Sequence, residues 1–295
     1  MLDNINLMLA EPPPLSVLRA DGRVVEDRGI LWVPHYARGT LTRYETSLNN
    51  LKLFAYPERM VLKNSLHKYA HRGGNSDDFY CSEIPTVIQN ISEVTQVDWS
   101  RAEVKALEIG VNVECDPVKA VSVLKSYKAK PFQPMTYKGK AYGSRCDFQR
   151  YSLKGYNKSF VAQKVDGLAI SKPLFRWESQ IHSMQFFARS LPLPIKVSDL
   201  FKLQNLKIMA QSSVEQLKNS IKLEGVNLSG LTAEEKKVLG VMMNDDLREN
   251  FRLNHREAFK KYRPIFKRIM EAQKNNFVSD LETSIKQKFM ELLTN

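Results

Sequence analysis

The chain is poor in cysteine and has no long apolar run, and each absence argues against a class of protein. Its 295 residues include three cysteines, Cys81, Cys115 and Cys146, none of them in a CxxC pair, so neither a disulfide framework nor a cysteine zinc site is expected. No stretch approaches the roughly 20 apolar residues that cross a membrane, and the N-terminus lacks the basic start of a signal peptide. These absences predict a cytoplasmic protein with reduced thiols. Its 43% of hydrophobic residues can fill one large core or two smaller ones.

Positive charge is concentrated in one stretch of the sequence. The formal net charge is +12, and residues 117–176 contain ten lysines and three arginines against two aspartates, a net charge of +11 for that stretch. Such clustering is typical of proteins that bind a polyanion, because each phosphate contact releases condensed counterions. A solvated basic face is the ordinary alternative. An anionic membrane is a poorer match, since no basic amphipathic helix or lipidation signal accompanies the stretch, so nucleic acid is the expected partner.

The candidate DNA contacts are lysines and arginines in and near this stretch. They are Lys68, Lys125, Lys128, Lys130, Lys138, Lys140, Arg145, Arg150, Lys154 and Arg176. Aromatic residues interleave with them at Tyr127, Phe132, Tyr137 and Tyr142, and such side chains stack on the bases of single strands. RNA is therefore a weaker alternative to DNA, since aromatic residues at this spacing are more often part of a core.

Three segments alternate polar and apolar residues, which is typical of β-strands with one polar face. The polar faces carry Ser152, Lys154, Tyr156 and Lys158 in residues 151–158, Arg176, Glu178, Gln180 and His182 in residues 175–182, and Glu108, Asn112 and Glu114 in residues 107–114. If the three strands lie side by side, these residues form one surface. That surface carries carboxylates, a tyrosine and lysines.

The remaining pattern predicts an α+β fold with a mainly antiparallel sheet. Further strands are expected over residues 4–9, 29–33, 51–56 and 59–69, and helices over residues 82–96 and from Asp116-Pro117 onward. Capping boxes at Ser213-Val-Glu-Gln216 and Thr232-Ala-Glu-Glu235 predict helices that begin there. Helical spacing continues over residues 245–270, where Pro264 should kink or break the helix, and over residues 276–293. We therefore expect a sheet domain over residues 1–200 and a helical region over residues 201–295.

Four places along residues 1–202 carry a further pattern in their order and spacing. They are Met1-Leu-Asp-Asn-Ile5; Asn64-Ser-Leu-His-Lys68 with Gly74-Asn75; Leu107-Glu108-Ile109; and the pair Gly155-Tyr156-Asn-Lys158 and Leu174-Phe-Arg-Trp-Glu178, trailed by Ser190-Leu-Pro-Leu-Pro194 and Asp199-Leu-Phe201. Together they resemble the gene II type replication initiators of filamentous phages and the related trans-acting Rep proteins of rolling-circle plasmids. The resemblance rests on the combination, because each piece alone is common.

The resemblance implies a strand-specific DNA endonuclease and ligase. Such an enzyme cuts at a replication origin through a tyrosine, stays attached by a 5′-phosphotyrosine and leaves a 3′-hydroxyl as primer. Residues 1–200 would be the nicking domain, and residues 201–295 would bind DNA or mediate oligomerisation. The implied partners are double-stranded origin DNA, single-stranded DNA and the helicase and polymerase of a bacterial host.

The chemistry of the residues fits this function. Tyr156 is the expected nucleophile, and since a phenol with a pKa near ~10 attacks poorly at neutral pH, Lys158 is expected to lower that pKa. Attack on a phosphodiester builds charge on the phosphate oxygens, which a hard cation stabilises. Glu108 and Glu178 are the expected ligands of this ion, Mg²⁺ or Mn²⁺. Because the reaction is a transesterification, the bond energy is kept for rejoining.

Several assignments stay open. Tyr151 is the rival nucleophile, although it lies on the opposite strand face. Glu108 and Glu178 are alternatively members of ordinary ion pairs, and Glu114 is either a third ligand or a strand-end charge. His67 and His182 are candidates for ligands or for hydrogen-bond partners of ligands.

The five histidines include no His-apolar-His triplet, the metal-binding strand of the better-known rolling-circle nucleases. His67 and His71 are four residues apart, but their surroundings are expected to be strand and turn, so a zinc site there is not favoured. A conjugative or mobilisation relaxase would use the same chemistry. A non-catalytic origin-binding initiator, with a structural tyrosine, is the alternative from another class.

Overall fold

A computed structural model describes residues 1–222, 228–272 and 276–294. Its strands are β1 (Leu2–Leu9), β2 (Val25–Asp27), β3 (Ile30–Ala37), β4 (Thr40–Leu48), β5 (Leu51–Tyr56), β6 (Arg59–Ser65), β7 (Glu103–Glu114), β8 (Leu124–Tyr127), β9 (Lys130–Pro131), β10 (Gln133–Tyr137), β11 (Lys140–Asp147), β12 (Tyr151–Asn157), β13 (Leu174–Ile181) and β14 (Ile221–Lys222). Its helices are α1 (Leu15–Leu18), α2 (Leu66–Ala70), α3 (Glu83–Thr95), α4 (Pro117–Val123), α5 (Lys158–Lys164), α6 (Leu203–Lys218), α7 (Ala233–Met243), α8 (Asp245–Asn254), α9 (Arg256–Ala272) and α10 (Asn276–Thr294).

Eleven strands form one antiparallel sheet. Their order is β10-β11-β12-β13-β7-β1-β6-β5-β4-β3-β2, and β14, β8 and β9 form a second, small sheet. The strands predicted over residues 4–9, 29–33 and 51–56 lie in or overlap β1, β3 and β5. The predicted fold class is confirmed: the protein is α+β, with a large antiparallel sheet followed by C-terminal helices.

One side of the central strands forms the main core. Leu107, Ile109 and Val111 of β7 and Trp177 of β13 are at most 2% exposed, and helices α6 and α10 pack against this side of the sheet. The indole Nε1 of Trp177 donates to the backbone oxygen of Ser213 in α6 (3.1 Å). Because the apolar residues of the alternating strands must face this core, their polar partners face the other side.

The C-terminal helices belong to two cores. Apolar residues of α6 and α10 join the core under the sheet, whereas α7 and α9 enclose a second core built from Val238, Leu239, Met242, Tyr262, Phe266 and Ile269. The division near residue 200 stays a prediction, since α6 and α10 pack on the sheet that precedes them. Within the described residues, no helix is both long and apolar enough to span a membrane.

Two expectations about local structure are wrong. The strand expected over residues 59–69 ends at Ser65, because the Ser65 side chain accepts a hydrogen bond from the backbone N–H of Lys68 (2.9 Å) and so caps α2. Ser213 does not begin a helix: it lies inside α6, where its hydroxyl is 2.8 Å from that of Ser179. Both errors have one cause, since a serine hydroxyl can bond a helix end or a neighbouring strand.

Other helix signals are confirmed. Thr232 and Glu235 form the predicted capping box at the start of α7, and Asp116 caps α4 with Pro117 at its first position. The helix predicted over residues 82–96 is α3. By contrast, Pro264 does not break the helix, because it lies inside α9. The helical stretch is interrupted instead at His255, between α8 and α9.

Candidate active site

Carboxylates from neighbouring strands meet at the centre of the polar side of the sheet. The register places Lys154 of β12 opposite Glu178 of β13, and Gln180 of β13 opposite Glu108 of β7. Lys154 Nζ donates to Glu178 Oε1 (2.8 Å) and to Glu108 Oε1 (3.1 Å), and the Gln180 amide also donates to Glu108 Oε1 (2.7 Å). The structure thus brings together the two carboxylates that alternation assigned to one surface.

A third carboxylate, Asp3, joins them because β1 contains a bulge. Leu2 pairs with Ile109 and Ile5 with Leu107, so Asp3 and Asn4 together stand opposite Glu108 alone. A bulge of this kind re-aims a side chain that regular pleating would send to the other face. Sequence reasoning missed Asp3 because strict alternation through Ile5 and Leu7 assigns it to the apolar face. The adjacent polar residues Asp3 and Asn4 were the available signal of a bulge.

The three carboxylates form a cluster with the geometry of a metal site. Asp3, Glu108 and Glu178 each offer an oxygen, and these oxygens all lie within 4.8 Å of one another. The three residues are only 3%, 4% and 2% exposed. Buried carboxylates are costly unless cations or hydrogen bonds compensate them, so the surrounding donors decide what the cluster can hold. We call these three residues the carboxylate cluster.

Two buried or nearly buried cations compensate the carboxylate cluster incompletely. Arg176 donates through Nε to Glu178 Oε2 (2.8 Å) and through Nη2 to Asp3 Oδ2 (2.9 Å). Burial would raise the pKa of Glu178, but Lys154 and Arg176 outweigh it and lower that pKa to about 2. At Glu108, burial and the charge of Glu178 outweigh Lys154 and raise the pKa to about 7. Glu108 is therefore the carboxylate that lacks a matching positive charge.

The cluster has the donor set of a hard divalent cation. Its ligand atoms are all carboxylate oxygens, which Mg²⁺ and Mn²⁺ prefer. An ion there would supply the charge that Glu108 lacks and would hold apart carboxylates that otherwise repel one another. The residues present therefore fit such an ion, with Asp3, Glu108 and Glu178 as the ligands.

The Tyr156 hydroxyl lies at the edge of the carboxylate cluster. The residue is half-buried, and its hydroxyl donates to Glu178 Oε2 (3.3 Å). Burial and the charge of Glu178 raise the pKa of Tyr156 well above its ordinary value, while Arg176, its partner across the strands, lowers it. The phenol is therefore protonated as it stands, and becomes a nucleophile only when its proton is accepted and its charge is stabilised.

Tyr151 is in a different environment. It is 7% exposed and lies on the other side of the sheet, where its ring contacts Phe148 and Phe186. Its hydroxyl accepts a hydrogen bond from Lys128 Nζ (3.2 Å), and burial raises its pKa. The two tyrosines of β12 are thus separated by the sheet, as the alternation predicted.

Lys158 lies just beyond the end of strand β12. The strand ends at Asn157, whose side chain accepts from the Phe160 N–H (2.8 Å) and caps α5, so Lys158 is the first residue of a helix and strand alternation does not determine its direction. Lys158 is 1% exposed, donates to Asn75 Oδ1 and lies 3.9 Å from Asp166 Oδ2. Burial, helped by the charge of Arg176, lowers its pKa to about 8.

Asn75 links Lys158 to the carboxylate cluster. Its side-chain amide donates to Asp3 Oδ2 (2.8 Å) while its carbonyl accepts from Lys158. The backbone at Asn75 and Ser76 accepts from the Asn112 amide on β7 (3.2 Å each). The segment that carries Asn75 therefore forms one wall of the cluster.

The other candidate ligands make their hydrogen bonds and ion pairs to residues outside the carboxylate cluster. Glu114 is an exposed residue at the end of β7 and pairs with Lys172 (3.0 Å). His182 contacts the Ser152 hydroxyl (2.7 Å). His67 is buried and contacts Asp77 (2.9 Å); burial lowers its pKa to about 4, so its ring is neutral at pH 7.

The candidate DNA contacts divide into exposed and engaged side chains. The exposed ones are Lys125, Lys128, Lys130, Lys138, Lys140 and Arg150. Lys154 and Arg176 donate to the carboxylate cluster, Lys68 pairs with Asp166 (2.8 Å), and half-buried Arg145 contacts Asp147 and Ser152. Two of the exposed side chains also have partners, since Lys128 donates to the Tyr151 hydroxyl (3.2 Å) and Lys130 to the backbone oxygen of Asp147 (2.5 Å). The exposed set is the solvent-facing part of the predicted interface.

No protein-family model matches this chain, and no curated protein matches it. The resemblance to replication initiators stays an expectation.

Proposed function

We propose that this protein is a metal-dependent nickase that cuts one DNA strand by transesterification through Tyr156 and rejoins it. The observation that carries the proposal is a tyrosine hydroxyl 3.3 Å from one of three buried carboxylates whose oxygens lie within 4.8 Å of one another. The resemblance to phage and plasmid initiators suggests the biological setting, which is rolling-circle replication in the cytoplasm of a bacterial host. The implied cofactor is Mg²⁺ or Mn²⁺, held by Asp3, Glu108 and Glu178.

In the proposed reaction, the Tyr156 oxygen attacks the phosphorus of a phosphodiester. The new bond forms between this oxygen and phosphorus as the bond to the 3′-oxygen breaks, and the 3′-oxygen leaves and takes up a proton. The proton that the Tyr156 hydroxyl loses is balanced by the proton that the 3′-oxygen gains, and the charge of Arg176 stabilises the developing phenolate. A bound divalent ion would supply Lewis-acid stabilisation of the phosphate charge. The products are a 5′-phosphotyrosine and a free 3′-hydroxyl.

Lys154 is the candidate for contact with the phosphate. It is the more exposed of the two cations that contact the carboxylate cluster, with 13% of its side chain accessible against 3% for Arg176. Its partners Glu108 and Glu178 raise its pKa against burial, so it stays charged at neutral pH. A cation fixed beside the nucleophile stabilises charge that develops on nonbridging oxygens.

The decisive experiment looks for protein attached to DNA. A supercoiled plasmid that carries the replicon encoding this protein is incubated with Mn²⁺ and then denatured in SDS. We expect open circles and an adduct on the 5′ side of the cut, both abolished by EDTA. Digestion of the adduct should locate the phosphate on Tyr156.

Tyr156→Phe and Tyr151→Phe form a matched pair, because each removes one hydroxyl from β12. We expect Tyr156→Phe to fold and bind DNA but to form no adduct, and Tyr151→Phe to keep cutting. An inactive Tyr151→Phe beside an active Tyr156→Phe would move the nucleophile to the other face of the sheet. Full activity in EDTA would overturn the metal-dependent mechanism.

A non-catalytic origin-binding initiator is the second candidate. It is favoured by the ion pairs of Lys154 and Arg176, because buried carboxylates paired in this way also occur in purely structural networks. Tight binding to the replicon without any adduct, on supercoiled or single-stranded DNA and with either Mg²⁺ or Mn²⁺, would establish this alternative. A relaxase would form the same adduct and would differ in cutting a transfer origin.

A further inference from the structure

A second group of metal-ligating side chains lies on α2 and the segment that follows it. His67 is in the first turn of α2 and His71 caps its C-terminus, so the two imidazoles lie one helical turn apart and their centroids are 4.7 Å from each other. Asp77 faces both rings: its Oδ1 is 2.9 Å from His67 Nε2 and its Oδ2 is 2.7 Å from His71 Nδ1. One ligand atom from each residue lies within 4.8 Å of the other two.

The side chains around the two histidines hold them as in a metal site. The second nitrogen of His71, Nε2, lies 3.0 Å from Glu83 Oε1, and Glu83 is fixed at the start of α3 because its other oxygen accepts from the Tyr80 N–H (2.6 Å). A carboxylate behind a histidine fixes the tautomer in which the opposite nitrogen presents its lone pair, an arrangement common around bound metals. The Phe79 ring stacks on His67 and meets His71 edge-on.

We propose that His67 Nε2, His71 Nδ1 and the Asp77 carboxylate bind a transition-metal ion of the Zn²⁺ or Co²⁺ class, at a site separate from the carboxylate cluster. Two imidazoles and one carboxylate suit these ions, whereas Mg²⁺ prefers oxygen ligands alone. Three protein ligands leave a fourth position open to water. The Asp77 side chain is 61% exposed, so an ion can enter from solvent on this side.

The bound ion would act as a clamp on the wall of the carboxylate cluster. It would tie α2 to Asp77, two residues beyond Asn75, which donates to Asp3. At the other end, Ser65 caps α2 and its hydroxyl donates to Asp3. The ion would thus fix the position of two of the groups that contact Asp3, Ser65 and Asn75, although its binding does not depend on the proposed nicking activity.

Cobalt provides a direct readout of this site. The full-length protein, stripped with a chelator, is titrated with Co²⁺ and followed by visible absorption. We expect one Co²⁺ per chain with the intense bands of four-coordinate cobalt, displaced by Zn²⁺ and unaffected by excess Mg²⁺. Weak absorption like that of hydrated Co²⁺, or displacement by Mg²⁺, would overturn the proposal.

Variants assign the bands to these residues. Asp77→Asn keeps the shape of an exposed side chain, and His71→Ala removes a half-buried ring; each should weaken Co²⁺ binding more than about 100-fold, and Glu83→Gln by about 10- to 100-fold. His255→Ala, which alters an exposed histidine between α8 and α9, should bind like the wild type. Wild-type Co²⁺ affinity in both Asp77→Asn and His71→Ala would show that His67, His71 and Asp77 form only a hydrogen-bond network.

Glu108→Gln separates the two proposals. The cobalt bands should persist in this variant, because Glu108 belongs only to the carboxylate cluster, while Mn²⁺-dependent adduct formation should be lost. Loss of the cobalt bands in Glu108→Gln would place the ion in the carboxylate cluster and would rule out a separate metal site at His67, His71 and Asp77. Intact bands without any wild-type adduct would reject the nicking function and leave the metal site standing.

Discussion

At Glu108, the cost of burying a negative charge exceeds the stabilisation from the neighbouring Lys154. The pKa of Glu108 rises from the ordinary 4.5 to about 7 in the folded protein, so between these values the native state binds more protons than the unfolded state. Stability from this group is fully present below pH 4.5 and is lost as the pH rises through 7. At pH 8 the ionised Glu108 therefore destabilises the metal-free protein.

The first prediction follows from this loss of stability with rising pH. In EDTA, Glu108→Gln should gain stability relative to the wild type as the pH is raised from 5 to 8, by at most about 3 kcal/mol, because a pKa shift of one unit corresponds to about 1.4 kcal/mol. Urea unfolding of both proteins at the two pH values measures the difference. In Mn²⁺ at pH 8, the wild type should recover the lost stability. A stability difference that does not vary with pH would show that Glu108 ionises normally.

At the scale of the strand, two glycines leave room for the reactive residues. Gly110 of β7 stands opposite Glu178, and Gly143 of β11 stands opposite Tyr156. A Cβ at position 143 would collide with the Cβ of Tyr156. The absence of a side chain at Gly143 therefore fixes where the Tyr156 ring lies.

The second prediction tests this fit. Gly143→Ala should cost about 1–3 kcal/mol of stability, as overpacking does, and should lower the rate of adduct formation by about 100-fold, since displacing a nucleophile by about 1 Å has that effect. Gly240→Ala in α7 is the control: nothing lies within 4 Å of the added Cβ, so it should stabilise by about 0.5–1 kcal/mol and leave the rate unchanged. Single-turnover cutting and urea unfolding give both quantities. An unchanged rate in a folded Gly143→Ala protein would show that Tyr156 tolerates displacement.

The sequence predicts which side of the sheet a residue faces well where its strand is regular and buried on one side. Alternation in β7, β12 and β13 located Glu108, Tyr156 and Glu178 on one surface, because a slip of one residue would have exposed the core. It fails where the period changes. The bulge hides Asp3, and the Asn157 cap ends β12 before Lys158, so the strand period does not apply to that residue.

The spacing of His67 and His71 is evident in the sequence, but a metal site is not favoured there, for a similar reason. The apolar pattern of β6 runs into α2 without a clear break, and the Ser65 cap that ends the strand depends on a hydrogen bond from Lys68 that composition does not reveal. Once α2 is a helix, the spacing of His67 and His71 places them on one face. Long-range partners such as Asp77 and Glu83 come from the turn and helix that follow, which no local pattern specifies.

At the scale of the whole molecule, the basic stretch of residues 117–176 is divided between the two sides of the sheet. Lys138 and Lys140 flank the β10–β11 turn, next to Tyr142, whose ring contacts Tyr156 (6.3 Å between centroids). Lys125 and Lys128 belong to the β8–β9 ribbon, which contacts the opposite side, since Leu124 packs under Gly155 and Lys128 bonds Tyr151. One linear cluster of charge therefore forms two separate basic patches.

The third prediction decides which patch carries the DNA. If the strand runs past Tyr156, replacing Lys138 and Lys140 by alanine should weaken DNA binding and reduce the slope of log affinity against log salt by roughly two units, because each lost phosphate contact removes about one. The matched double variant at Lys125 and Lys128 also removes two exposed charges, and it should leave both the slope and the rate of cutting unchanged. Fluorescence anisotropy with a labelled oligonucleotide across a series of salt concentrations measures the slopes. Equal losses in the two variants would mean that DNA contacts both sides of the sheet. A loss confined to the Lys125 and Lys128 variant would place the DNA on the side away from Tyr156 and would contradict the nicking mechanism.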